Sequence, residues 1–237
     1  MTTRFPNGVS TAAINSVLFN SPNPDPTKVY TYFDDFNQYV AGDWTVTRVG
    51  TTPTEALTDG SFGELLLTVS AADNDSDQLQ KKGESFLPVN GKKMWFKTRL
   101  KISDATQSDF LIGLAVTDTT LLGATDGDGV TDGIFFAKED GDTNLDFHVQ
   151  KDATTGQLST AAFSTIGTDY VTLGWEFDGK RYFKVYKDDV HITTVDITTT
   201  FATYMPDTEL TVSFAIQNGE AVAKTMTIDY IYAAIER

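Results

Sequence analysis

The sequence predicts an all-β fold: a two-sheet antiparallel jelly-roll sandwich preceded by an extended N-terminal arm. Three observations carry this prediction. From Val29 onward, apolar and polar residues alternate with period two, in runs rich in β-branched and aromatic side chains. Dipeptides suited to positive φ angles separate these runs: Asn90-Gly91, Asp140-Gly141, Asp178-Gly179 and Asn218-Gly219. No stretch of helical period extends beyond about three turns.

The alternation places strands at Val29–Phe36, Trp44–Val49, Glu64–Ser70, Met94–Ile102, Phe110–Thr117 and Gly133–Ala137. It places others at Leu145–Gln150, Tyr170–Phe177, Tyr182–Lys187, His191–Ile197, Glu209–Gln217 and Thr225–Ile235. About twelve strands suit a jelly roll better than a small immunoglobulin-like domain. In the fourth run Met94, Phe96, Thr98, Leu100 and Ile102 share one face. Lys93, Trp95, Lys97, Arg99 and Lys101 share the other, where Trp95 is either surface cover or a contact residue. Asn218-Gly219 gives the clearest hairpin signal, with Leu210, Val212, Phe214 and Ile216 alternating before it and Met226, Ile228, Tyr230 and Tyr232 after it.

Composition excludes several functions. The chain has 237 residues, a net charge of −15 and no cysteine. Such an acidic chain lacks the clustered cations that nucleic acid or an anionic membrane requires. Without cysteine there is no disulfide, thiolate nucleophile or Cys-ligated zinc. No window approaches the roughly 18 apolar residues of a membrane span. The N-terminus lacks the basic and continuously apolar regions of a signal peptide, so no cleaved secretion signal is expected.

The candidate sites in the body are weak. Asp73, Asp75 and Asp77 with Glu84 follow positions 1, 3, 5 and 12 of a calcium loop, but Gln78 stands where that loop needs glycine. An acidic turn between strands is the simpler reading. Asp126-Gly127-Asp128-Gly129 with Asp132 reads as a loop tip. His148 and His191 both fall in strand-like runs, and no Gly-x-Ser-x-Gly elbow accompanies them. Glu176, in Trp175-Glu176-Phe177-Asp178, has no second Glu on its strand to complete a glycosidase pair. The expectation is therefore no catalytic residue, no metal, no cofactor and no enzyme activity. Trp44, Trp95 and Trp175 could form a sugar platform, although a core of this size has use for most of its aromatics.

The leading segment differs from the rest. Residues 1–28 hold four of the seven prolines, and two cations against one anion leave them at +1 while residues 29–237 carry −16. Phe5, Ile14, Val17, Leu18 and Phe19 would each gain roughly 1.5–3 kcal/mol on full burial. With Arg4 they are the expected partner-binding residues of an arm spaced from the sandwich by Asn23-Pro24-Asp25-Pro26.

Thr3-Arg4-Phe5-Pro6-Asn7-Gly8-Val9, Gly42-Asp43-Trp44-Thr45, Lys82-Gly83-Glu84-Ser85-Phe86, Gly91–Lys97, Asp104–Asp109 and Ile216–Glu220 together resemble structural proteins of tailed, particularly marine, phages. The resemblance implies a virion component with a concanavalin-like jelly-roll body, and within that class a capsid decoration (cement) protein. It further implies a homotrimer on the capsid surface, made in the host cytoplasm, with the major capsid protein as partner. The alternative is a carbohydrate-binding or receptor-binding jelly-roll module of a phage tail or fibre.

Overall fold

The computed structural model describes residues 27–123, 129–153, 160–197 and 199–237, without the side chains of 160–162. The first seven strands are β1 (Val29–Asp34), β2 (Trp44–Val49), β3 (Thr54–Thr58), β4 (Glu64–Thr68), β5 (Ser76–Lys81), β6 (Met94–Ile102) and β7 (Ser108–Ala115). There follow β8 (Gly133–Lys138), β9 (Asn144–Gln150), β10 (Thr160–Thr165), β11 (Val171–Phe177), β12 (Tyr182–Lys187) and β13 (Val190–Asp196). After the short helix α1 (Phe201–Tyr204), β14 (Thr211–Asn218) and β15 (Thr225–Glu236) complete the chain. Sheet A runs β13-β12-β11-β6-β15-β4-β3, with β1 also paired to β15, and sheet B runs β10-β9-β8-β7-β14-β5-β2. All paired strands are antiparallel. The two-sheet sandwich is the fold expected from the alternation.

The core lies between the sheets. β6 alternates buried and half-buried along its whole length, with Met94, Phe96, Thr98, Leu100 and Ile102 inward as the pattern predicts. Phe96 stacks on Trp175 at 6.0 Å, and Phe147 and Phe183 close around the same indole. Burying such rings contributes strongly to the core, since each removes about 150–250 Å² from water.

Three strands escape the sequence reading, and each for a physical reason. β5 contains only one apolar residue, Leu79, although it is buried on both faces. β3 is a short edge strand with a mostly polar sequence, and β10 is another edge strand. Part of the acidic run read as a turn is in fact the start of β5: Ser76 and Asp77 are in the strand.

The turns divide in two. Asp140-Gly141 and Asp178-Gly179 are true hairpins, joining β8 to β9 and β11 to β12, with Gly141 at φ 87° and Gly179 at φ 84°. Asn218-Gly219 is not a hairpin, and this expectation is corrected. β14 pairs with β5 and β7 in sheet B, while β15 pairs with β1, β4 and β6 in sheet A. The alternation on either side of the dipeptide reflects two strands facing one core from opposite sheets. Asn218 organises the crossing: its side-chain amide donates to the carbonyls of Ser70 and Ala72 (2.9 Å to the latter), and its Oδ1 accepts from the Lys224 amide at 3.1 Å.

Replacing Asn218 with Ala would strand the buried Lys224 N–H and leave the partly buried carbonyls of Ser70 and Ala72 without their donor. Urea unfolding should show a loss of about 2–4 kcal/mol with an unchanged slope.

Candidate functional site

A sandwich can meet another molecule through the outer face of either sheet, through its edges or through its loops. The two outer faces differ sharply here. Sheet B points Gln78, Gln80, Ser213, Phe135, His148 and Gln150 away from the core, and all six are buried. What covers this face in part is the segment after β7. Gln80 donates to the Val116 carbonyl and to Ser213 Oγ, each at 2.9 Å, and its Oε1 accepts from the Asp118 amide at 2.8 Å. Gln78 Oε1 accepts from the Leu121 amide at 2.6 Å, and Gln150 donates to the Val130 carbonyl. Leu121, Leu122 and Val130 then form a second small core with Leu111, Ala115, Phe135, Ala137 and Ala215.

His148 lies under this cover, stacked on Phe135 at 5.1 Å, and its Nε2 has no hydrogen-bond partner among the described residues. Burial pushes its pKa down to about 4, with Asp146 opposing. The ring therefore stays neutral in the folded protein where an unfolded chain would protonate it, and this site loses stability as pH falls below about 6.5. His191 is exposed on sheet A, tilted against Tyr186 with its Nε2 at 2.9 Å from Thr194 Oγ1. The two histidines thus stand on different sheets.

Sheet A leaves its outer face open. Trp95 is half-buried there, beside Ala234 of β15 and Glu176 of β11. Trp44 and Trp175 are core residues with 4% and 2% exposure, so the three tryptophans do not form a shared platform. Glu176 lies 3.7 Å from Lys184 and accepts from the Tyr186 hydroxyl at 3.4 Å; its cross-strand neighbours are Trp95 and Lys184. Asp178, two residues along, accepts from the amides of Lys180, Arg181 and Tyr182, which close its hairpin and help hold its pKa down against burial.

The calcium-like spacing does not become a site. Asp73 is exposed, Asp75 is buried near Gly50, Asp77 is buried beside Arg48, and Glu84 Oε1 accepts from the Thr117 amide at 2.6 Å. Among the described residues no three His, Cys, Asp or Glu side chains are grouped to hold a metal. Asp126, Gly127 and Asp128 lie outside the described residues, as do the arm residues Arg4, Phe5, Ile14, Val17, Leu18 and Phe19.

Sequence reasoning also missed a charged clasp between the sheets. Arg48 on β2 of sheet B forms a forked pair with Glu55 on β3 of sheet A, with Nε to Oε1 at 2.9 Å and a terminal nitrogen to Oε2 at 2.6 Å. Asp77, fully buried, sits 3.6 Å from Arg48 Nε. Burial first, and then the charge of Glu55, push the Asp77 pKa up to about 8 against the pull of Arg48. The Tyr39 hydroxyl beside them is pushed up to about 12 by burial and by Glu55 and Asp77. A cross-sheet Arg–Glu pair leaves no alternation signature, because its partners lie seven residues apart on unpaired strands.

No protein-family model and no curated protein matches this chain. Solved structures do. An endo-1,3-β-glucanase from Streptomyces sioyaensis aligns with a TM-score of 0.61 and 14% identity, covering 90% of this chain and 98% of its own. The Emp46p carbohydrate recognition domain in its potassium-bound form gives 0.55 and 12%, covering 84% and 93%. A carbohydrate esterase from the Shiga toxin-encoding bacteriophage phi24B gives 0.52 and 14%, covering 87% and 97%. The likeness is one of fold. It places the sandwich among concanavalin-like lectin and glucanase folds, which house enzymes and lectins alike, and it leaves activity open.

The clasp makes a pH prediction. Folded Asp77 holds its proton to about pH 8 while the unfolded chain releases it near pH 4, so stability at this site falls as pH rises between them. In Asp77→Asn that loss is absent, and its advantage in urea midpoint over the parent protein should widen from about pH 5 to about pH 8.

Proposed function

We propose that the protein is a non-enzymatic virion component that decorates and stabilises a phage capsid, with residues 1–28 as its anchor on the major capsid protein. The observation that carries this reading is the contrast within one chain: an apolar arm at +1 joined to a body at −16. The point of attachment supports it. Lys28 offers its carbonyl to the Arg237 amide, so the arm meets the body at the end of β1, on the border of the open sheet A. An extended segment can add backbone hydrogen bonds along a partner's sheet edge while its apolar side chains fill pockets. The acidic body then faces solvent and keeps coated particles apart.

Glu176 is engaged by Lys184 and Tyr186, and His148 lies beneath the cover of sheet B. A second reading, a glycan-binding or receptor-binding module of a tail or fibre, is favoured by Trp95 on the open face beside the small residue Ala234. A glycan array that stays blank for the intact protein removes that reading.

The decoration reading is tested in the full chain with the pair Leu18→Asp and Phe19→Asp. Co-sedimentation with shells of the major capsid protein should weaken by about tenfold or more, with the thermal midpoint of the body unchanged. Binding equal to that of the parent protein overturns it.

A further inference from the structure

The open face of sheet A differs from the rest of the surface in both charge and composition. Across β12, β11, β6, β15 and β1 it carries the cations Lys93, Lys97, Arg99, Lys101 and Lys184. Most of them are balanced on the spot. Lys97 meets Asp189 at 2.6 Å, Arg99 meets Asp229, and Lys184 meets Glu176 at 3.7 Å, while Glu236 adds a further carboxylate at the end of β15, where it accepts from the Lys93 backbone amide. A chain of net charge −15 therefore has a nearly neutral area on one sheet.

That area is also aromatic. Phe33 is 61% exposed, with its ring 6.4 Å from Tyr230 and its backbone in register with Tyr232. Tyr232 neighbours Lys97, whose stem lies against Gly174, so rings stand on one side of the ion-paired lysine. Trp95 lies one pleat away beside Ala234. Aromatic residues and arginine at the centre of a surface with little net charge are the composition of a protein interface core.

We infer that a second copy of this chain covers the outer face of sheet A, with the two sheets stacked face to face about a two-fold axis. Charge selects this occupant. Elsewhere two copies would bring like charges together, which costs several kcal/mol per juxtaposition, whereas here the charges are already cancelled within each copy. A basic partner would find no net acidic surface on this face, and nucleic acid would find Lys97, Arg99 and Lys184 already engaged. The dimensions fit as well. Five strands about 4.8 Å apart and about eight residues long at about 3.3 Å each give a footprint on the order of 600 Å², close to the ~800 Å² per partner of a standard interface. The contact is isologous, which gives a dimer in place of the trimer implied by the family resemblance. It does not depend on the capsid reading.

Sedimentation velocity of the full chain from about 1 to about 100 μM tests the inference, that range bracketing micromolar affinity. The expected result is a monomer–dimer equilibrium that tightens as NaCl rises from about 0.05 to about 0.5 M, because salt screens the repulsion left between two acidic bodies. Tyr232→Asp and, separately, Phe33→Ser should each weaken the dimer by about tenfold or more while leaving the circular dichroism spectrum unchanged. Phe33 is exposed enough that its variant keeps the test valid if Tyr232→Asp fails to fold. A protein that stays monomeric throughout overturns the inference, as does a dimer that survives Phe33→Ser or loosens with salt. Loss of the dimer in the Leu18→Asp/Phe19→Asp chain with retention in Phe33→Ser would assign association to the arm and overturn it too. Release of monomers by a soluble neutral oligosaccharide would give the face to a glycan and overturn it as well.

Discussion

Gln78, Gln80 and Gln150 stand on the outer face of sheet B, where a β-sandwich ordinarily meets water, and each uses its amide on the backbone of the segment after β7. Backbone amides and carbonyls brought over a sheet need partners, or each costs about 1–3 kcal/mol. The glutamines supply those partners, and Leu121, Leu122 and Val130 can then pack on Phe135, Ala137 and Ala215 as a second core. Other features follow from this arrangement. Sheet B becomes a central layer, buried on both sides, which is why β7, β8, β9 and β14 read as near-continuous buried runs. His148, on the outer face of that layer, is held neutral beneath the covering segment. Of the two outer faces, that of sheet A is the more open.

The clasp of Arg48, Glu55 and Asp77 works differently. It joins the edge strands β2 and β3 from one sheet to the other. Two carboxyls around one guanidinium leave an excess of negative charge in a buried place, and the fold answers by keeping a proton on Asp77. A charged clasp of this kind contributes less to stability than an apolar one would, because desolvating the ions offsets much of their attraction. Its geometric effect is clearer: the forked Arg48–Glu55 contact sets how far apart the two edges stand.

The sheet content was largely legible, because alternation reports a face and the faces of β6 and β14 are strongly apolar. Pairing was less so. Leu210–Ile216 and Met226–Tyr232 alternate as a hairpin would, yet they belong to opposite sheets, since alternation records which side faces the core and says nothing of the neighbouring strand. β5 was illegible for the opposite reason. Its Gln78 and Gln80 are buried by hydrogen bonding to a loop far along the chain, and a polar residue buried in that way looks like a surface residue in sequence. Among the candidate residues, Trp95 on the cation-bearing face of β6 was correctly placed. Trp44 and Trp175 were not separable from it, because indoles serve cores and surfaces equally well.

The two proposals bear on one another through charge. An anchor built from five apolar residues gives a modest affinity by itself, and a body at −16 is repelled by every neighbour already bound to the same shell. Pairing through the neutral face of sheet A addresses both difficulties. It removes one direction of repulsion between neighbours, and it links two arms so that the second binds at an effective concentration in the millimolar range. The face must then be neutral without being strongly sticky, or the free protein would aggregate before reaching a shell. Locally paired cations among half-buried rings meet that requirement. Lys97 with Asp189 and Arg99 with Asp229 keep charged groups around Tyr230 and Tyr232, so the aromatic surface stays interrupted and its contacts reversible.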